Sequence, residues 1–423
     1  MSGLEERGGP AAALLHAQED AQGIGEQREI TFRRRRTVNV VQLGCGICGL
    51  VCAEHLAKNP KIKELILADA RLDGANALAS RVKSDTVVVR KVDGTDPDAV
   101  KKLLEGKDVV VATMPWRLNR LVMEIAAKVG TDYVDFGMPF DSTGPEFDQY
   151  SEMCQNAGIA ALVGMGEEPG MSDVLAMHGA TKLDRADEAH IYDGDTASVD
   201  GLEFFSSWSP VDLLDETSVP AAVFRNGKIE FIPPLSARQI YDFPAPVGPL
   251  PVYKTNHDET YFMPLGVKTL KQASFNIGID DNFANAATLF RKWGLLGKDP
   301  IDVRGVRVVP LHVVAALLPR PESFSGKMKG HTCFVVEVIG EKAGKKTRVK
   351  LWTMMSHDEA YRTFRTNAGT YLVGTGGAVA TEMLIDDEVK EKGIVIPEQL
   401  PVESFMRRLR EKNVEIKEEI TSI

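Results

Sequence analysis

From Thr37 onward the chain alternates short, β-branched apolar runs with stretches that repeat at helical spacing. Thr37–Leu43 reads as a buried parallel strand, and Gly44 ends it. Ile47–Lys58 carries helical periodicity, and Leu65–Ala68 is a second apolar run that stops at Asp69. The same alternation continues through a helix at Asp73–Val82, a strand at Thr86–Arg90, a helix at Asp96–Leu104 and a strand at Asp108–Ala112. It ends with a helix at Leu118–Val129, a strand at Asp132–Phe136, a helix at Glu146–Asn156 and a strand at Ile159–Val163. Strands and helices at this spacing predict βαβ units: an α/β chain with a Rossmann-type, doubly wound parallel sheet over 37–165.

The rhythm changes after Gly166. Proline, glycine and aromatic residues interrupt several short strand candidates, and His331–Val338 and Thr347–Thr353 read as two longer strands joined by a hairpin loop at Lys342–Lys346. Residues 166–365 are therefore expected to be an inserted α+β substrate domain. From Thr370 the pattern is helical again, so 366–423 reads as a helical return to the first domain. The first 36 residues, ending in Arg33–Arg36, read as a disordered extension and lack the apolar core of a signal peptide.

The chemistry begins where the first strand ends. Gly44-Cys45-Gly46-Ile47-Cys48-Gly49 fits G-x-G-x-x-G, follows a strand, opens a helix, and is followed 20 residues beyond Gly49 by Asp69 at the next strand end. Gly44 permits the tight turn, Gly46 lets a pyrophosphate approach the backbone, and Gly49 permits close helix–strand packing. The helix N-terminus at Ile47 and Cys48 would face the phosphates. Asp69 would accept from the ribose hydroxyls, which favours NAD, whereas Arg71 could pair with a 2′-phosphate and keeps NADP open. Ligands of open α/β sheets sit at the carboxyl ends of strands, which places Met114, Pro115, Asp135, Phe136 and Gly137 near the nicotinamide.

Composition narrows the partners. The formal net charge of −10 over 423 residues argues against nucleic acid or an anionic membrane. No apolar run is long enough for a membrane span. Five cysteines, three of them within the glycine motif and its helix, are not a disulfide framework, and a cytoplasmic setting is expected. Cys45-x-x-Cys48 also admits a redox reading, but both residues occupy variable positions of a tight turn where small side chains fit. The histidines lack metal-site spacing, and no metal is expected.

The chain resembles the saccharopine dehydrogenase family, and within it lysine 6-dehydrogenases and saccharopine reductases. The resemblance runs from about Val38 to the C-terminal region and rests on ordered segments: Ala112–Pro115, Tyr133–Gly137, Gly164–Ser172, Ser207–Pro210, Val223–Lys228, and Gly294–Leu296 followed by Pro300 through Pro310. It implies a Rossmann domain with an inserted α+β domain, a small amino-acid substrate, hydride transfer between a nitrogen-bearing carbon and a nicotinamide, and a homodimer. Glu168 takes the position of the family's Asp before Pro169-Gly170, and reads as either the acid–base residue or a helix-entry carboxylate. Asn256-His257-Asp258 resembles a substrate loop in which His257 would bind a carboxylate or shuttle a proton, or else is a surface turn. Asp135 would orient the cofactor or accept strand-end donors, and Trp208 would wall the cleft or pack in the core. Gly374–Gly377 reads equally as a cofactor contact or a helix-packing surface.

One departure matters. The family's carboxylate-binding Arg is missing at Ser274–Ile277, and an alternative alignment offers Lys271 in its place. The expected activity is oxidative deamination of the lysine 6-dehydrogenase type. A saccharopine-type reductase acting on a secondary amine, or a dinucleotide-sensing protein without catalysis, are the alternatives.

Overall fold

The computed structural model describes residues 37–138 and 145–423. The N-terminal extension lies outside the described residues. The first half runs β1 (Val38–Leu43), α1 (Ile47–Leu56), β2 (Ile62–Asp69), α2 (Asp73–Val82), β3 (Val87–Lys91), α3 (Pro97–Leu104), β4 (Val109–Ala112), α4 (Asn119–Val129), β5 (Asp132–Asp135), α5 (Pro145–Asn156) and β6 (Ala160–Leu162). The middle runs α6 (Met171–Thr181), β7 (Arg185–Asp195), α7 (Pro210–Glu216), β8 (Ala221–Arg225), β9 (Lys228–Ile232), β10 (Gln239–Asp242), β11 (Pro249–Lys254), α8 (Glu259–Gly266), β12 (Gln272–Gly278), α9 (Asp281–Lys292), β13 (Ile301–Val303), β14 (Val306–Val308), α10 (Pro310–Leu317), β15 (His331–Lys342) and β16 (Lys345–Ser356). The chain closes with α11 (His357–Phe364), α12 (Ala368–Ile385), β17 (Gly393–Val395), α13 (Val402–Glu411) and β18 (Lys417–Ser422).

The first sheet is parallel, in the order β17-β6-β5-β4-β1-β2-β3. The expected Rossmann-type α/β fold is present, and its direction of winding reverses between β1 and β4, where a crevice opens at the strands' carboxyl ends. Both faces are covered, so β1 and β4 are buried almost throughout. The helix starts follow local chemistry. Asp96 caps α3 by accepting from Asp98 N (3.0 Å) and Ala99 N (3.3 Å), with Pro97 in the first turn.

The second sheet is mixed: β10-β11-β12-β7-β15-β16-β18, with β8 and β9 beside β12. The β15–β16 hairpin is longer than the apolar pattern suggests, because its turn end is paired through polar residues, Glu341 with Lys346 and Lys342 with Lys345. Its turn is the two residues Ala343 and Gly344, both left-handed at φ 49° and 74°. The helical C-terminal return also contributes strands that the pattern misses. β17 is only three residues long, and β18 (KEEITS) is a charged edge strand.

The two halves share one core through α12, whose apolar residues pack with those of both sheets. This helix is buried nearly all round, and glycines let it approach its neighbours' backbones. A Cβ on Gly374 would stand 2.6 Å from Cys48 O, one on Gly376 would strike Gly166 O, and one on Gly377 would strike the Phe136 ring. The packing alternative for Gly374–Gly377 is therefore the one the fold realises. Gly376→Ala is expected to lower stability by about 1–3 kcal/mol despite alanine's better helix propensity. Denaturant unfolding measures it, and an unchanged or raised midpoint would contradict this packing.

Candidate active site

The glycine motif forms a cradle at the mouth of the crevice. Gly44 has φ +99°, and a Cβ there would meet the Thr113 carbonyl carbon at 2.7 Å. Thr113 Oγ1 donates to Gly44 O (2.7 Å), and the buried Gln42 amide donates to Thr113 Oγ1 (2.5 Å), pinning the ends of β1 and β4 together. Gly46 is exposed at the N-terminus of α1, and a Cβ there would meet nothing within 4 Å. Ile47 and Cys48 follow, half-buried, in the first turn. That open space, faced by the amides of the first turn, fits a pyrophosphate. Asp69 accepts from Cys45 N (2.7 Å) and Arg71 N (2.8 Å), so its carboxylate shapes the loop and keeps spare lone pairs for a ribose. Arg71 is exposed at the rim.

Of the strand-end residues, Pro115 is exposed, and Met114 and Gly137 are half-buried. The Phe136 ring turns inward onto α12, which leaves its backbone at the crevice. Asp135 is fully buried. Its Oδ1 accepts from Gly164 N (2.8 Å) and Gly137 N (3.3 Å), and its Oδ2 lies 2.8 Å from the Tyr133 hydroxyl. That hydroxyl also donates to Asn119 O (3.2 Å). The Tyr133 hydroxyl thus donates to Asp135 as well as to Asn119 O. Burial pushes the Asp135 carboxyl up to about 8, opposed by the bonds it accepts from Gly164, Tyr133 and Gly137.

Against these strand ends stands a group of carboxylates from separate elements. Glu167 and Glu168 follow β6, Asp193 and Asp195 end β7, Glu216 ends α7, and Glu259 starts α8. Burial first, then Asp193, Glu167, Glu259 and Glu216, hold Glu168 well above the usual carboxylate range. Burial, Asp193 and Asp195 do the same for Glu167. Burial, Asp195 and Glu216 push Asp193 up to about 7, with His257 opposing. Glu167 Oε1 and Glu168 Oε1 are buried without a hydrogen-bond partner, and neither side chain forms an ion pair among the described residues.

Two histidines flank the group. His257 hydrogen-bonds Glu259 through Nδ1, and its ring stacks on Phe275 at 3.9 Å. Burial disfavours its charge, but Glu259 and Glu216 outweigh that and hold it up at about 10. Glu259 also accepts from Ser172 Oγ (3.0 Å), and Asp258 accepts from Met138 N (3.0 Å), which docks this loop on the end of β5. His257 is thus in the cleft rather than on a surface turn. His357 is fully buried: Nδ1 accepts from Ala368 N (3.2 Å), so Nε2 carries the proton and donates to Asp195 Oδ1 (3.0 Å).

Other expected residues lie elsewhere. Lys271 pairs with Asp187 (2.8 Å) at the start of β7, about 20 Å of strand from Asp193. Ser274 and Asn276 face the opposite side of the sheet from Phe275 and bind Lys254 Nζ at 2.9 and 3.0 Å. None of them replaces the family's Arg at the cleft. Trp208 is half-buried against the main core, beside Ser207, whose carbonyl accepts from Asn367. Burial pushes the thiols of Cys45 and Cys48 up to about 12, which leaves the C-x-x-C spacing without reactive thiolates. Sequence reading missed Glu167, Asp193, Asp195, Glu216, Glu259 and His357 as site residues; Asp193-x-Asp195 at strand spacing was the one local signal.

Family models match both halves: the saccharopine dehydrogenase NADP binding domain over residues 40–162 and the saccharopine dehydrogenase C-terminal domain over 166–414. The chain belongs to the saccharopine dehydrogenase family. Carboxynorspermidine synthase of Vibrio alginolyticus is 28% identical over 394 residues, covering 88% of this chain and 94% of that one. Carboxyaminopropylagmatine dehydrogenase of Synechocystis is 24% identical, covering 88% and 95%. Among solved structures, apo saccharopine dehydrogenase (L-Glu forming) from Saccharomyces cerevisiae shares the fold at a TM-score of 0.69 and 18% identity, covering 91% of this chain and all of that one. Homospermidine synthase from Legionella pneumophila, solved with NAD, does so at 0.65 and 14%, covering 91% and 92%.

This member of the saccharopine dehydrogenase family is an NAD(P)-dependent oxidoreductase acting on C–N bonds. Among the described residues no helix is long and apolar enough to cross a membrane.

The cradle separates binding from folding. Gly46→Val should keep the melting temperature within a degree or two yet weaken NADP+ at least about 10-fold. Gly44→Ala should lower stability by about 2 kcal/mol or more, through left-handed strain and contact with Thr113. Thermal melts beside a fluorescence titration decide; loss of fold in both variants would contradict the assignment. Asp135 makes a second case. Its carboxyl is raised above its unfolded value, so the stability it contributes is full below about pH 4 and is lost as pH rises through about 8. Asparagine mimics the protonated form, so Asp135→Asn should flatten that loss, whereas Asp135→Ala should cost about 1–3 kcal/mol at every pH. Unfolding midpoints from pH 4 to 9 test this.

Proposed function

We propose that this enzyme makes or splits a secondary amine that joins a small carboxylated carbon chain to a diamine. The observation that supports it is the cleft itself. Carboxylates crowd the nicotinamide end of the crevice, and neither Glu167 nor Glu168 has a lysine or arginine beside it. Buried like charges must be protonated or matched by a cation. An extended organic amine supplies such a cation, and the printed names of the relatives matched along nearly their whole length denote carboxylated polyamines and a polyamine-like agmatine derivative.

Within that reading, Glu168 handles the proton on the reacting nitrogen. Oxidation requires a neutral nitrogen at the moment hydride leaves the adjacent carbon, and a carboxylate whose proton affinity is raised by burial accepts that proton more readily than an exposed one. In the reductive direction the same group, protonated, assists departure of water as the imine forms. Bound NAD(P) supplies or accepts the hydride. His257, charged on Glu259, is the cation available to the substrate's carboxylate. Asp135 positions the β5 end through its bonds to Gly137 and Gly164 rather than touching the substrate.

The lysine 6-dehydrogenase reading becomes the second choice, because the relatives matched along nearly their whole length carry polyamine-type names rather than lysine. Absorbance at 340 nm with NAD+ and NADP+, across carboxynorspermidine, saccharopine and lysine, tests the order. Oxidation of the secondary amines with release of a free diamine or amino acid is expected. Ammonia from lysine alone would restore the lysine reading, and cofactor binding without turnover would indicate a sensor. Glu168→Gln should lower kcat about 10²–10⁴-fold with little change in cofactor affinity.

A further inference from the structure

We infer that Glu167, with Asp193 and Asp195, forms a subsite for a second ammonium of the amine substrate, distinct from the reacting nitrogen at Glu168. This rests on the diamine reading above and deepens it.

Asp193 and Asp195 stand one pleat apart on the same face of β7, about 6–7 Å along the strand. Their neighbours across the ladder are Phe334 and Thr332, which carry no charge to oppose them. Glu167 approaches from the loop after β6, with Asp193 and Asp195 the charges that act on it most strongly. It is only 8% exposed, its Oε1 has no hydrogen-bond partner, and its Oε2 lies beside Gly369 in the first turn of α12, 3.9 Å from where a Cβ would stand. Asp195 is held in place by Ala197 N (2.6 Å) and His357 Nε2 (3.0 Å). His357 donates while staying neutral, because its other nitrogen accepts from Ala368 N. Asp195 is thus oriented without being neutralised.

A buried, unpartnered carboxylate is costly, and a fold keeps one where something else completes it. A primary ammonium supplies the missing charge, and its three N–H donors can be shared among separate carboxylates. Glu168, on which Asp193 is also the strongest acting charge, is left for the reacting nitrogen, so two ammonium positions stand side by side and the site prefers a diamine to a monoamine.

Calorimetry on the full chain with NADP+ tests this, with 1,3-diaminopropane and propylamine as probes. Wild type should bind the diamine at least about 10-fold more tightly, the gain expected of one charge-assisted contact set. Glu167→Gln should erase most of that gap. The same variant should raise the melting temperature of the amine-free protein, since it removes one of several crowded carboxylates; a purely structural Glu167 would lower it. Should Glu167→Gln fail to fold, Asp195→Asn keeps the bonds to Ala197 and His357 and must narrow the gap in the same way. Equal binding of the two amines by wild type, or an undiminished gap in the variant, overturns the subsite. Both readouts are binding equilibria. Absence of turnover on any secondary amine would sink the function above without touching them, and turnover without the gap would sink the subsite alone.

Discussion

Everything about this cleft depends on buried negative charge that the protein does not itself neutralise. Burial and neighbouring carboxylates push Glu167, Glu168, Asp193 and Glu216 up, and His257, the cation that opposes this at Asp193 and Glu216, is already engaged by Glu259. A protein interior tolerates this by holding protons until a cation arrives. The charge state of the cleft therefore depends on what occupies it, and the occupant proposed for it is positively charged at more than one point.

The fold creates that situation through convergence rather than through any local motif. The reversal of winding between β1 and β4 opens a crevice above the strand ends, and Gly44 and Gly46 clear it for a dinucleotide. β7 enters from the second sheet and delivers Asp193 and Asp195. The loop after β6 delivers Glu167 and Glu168, and the Asn256–Asp258 loop is tied to Met138 N by Asp258. The helix α12 fixes these pieces relative to one another, because its glycines admit the Cys48 carbonyl, the Gly166 carbonyl and the Phe136 ring. Cofactor loop and carboxylate loop therefore pack on one helix, and displacement of either is felt by the other.

How much of this was legible in the sequence follows from how local each feature is. The Rossmann half could be read because its buried parallel strands are short apolar runs that alternate with stretches at helical spacing. β17 and β18 could not, because a three-residue strand has no period and a charged edge strand has no apolar face. The cofactor cradle is contiguous and was readable. Glu168 and His257 were reached through the family resemblance, not through periodicity. Glu216 and His357 were not readable at all, since only tertiary folding brings residues so far apart in sequence to one place. The resemblance also drew attention to Lys271 as a stand-in for the family's Arg, whereas strand register puts it at the far end of the sheet, against Asp187.

The most direct test of the central claim is the number of protons exchanged when a diamine binds. It is obtained by calorimetry of 1,3-diaminopropane with the NADP+-loaded protein at pH 7, in buffers of differing ionisation enthalpy. Carboxyls held protonated by burial must ionise to meet an arriving dication, so the account predicts net release of about one to two protons per site. Binding heats that are the same in every buffer, or net proton uptake, would mean that the carboxylates are already ionised and matched, and would contradict it.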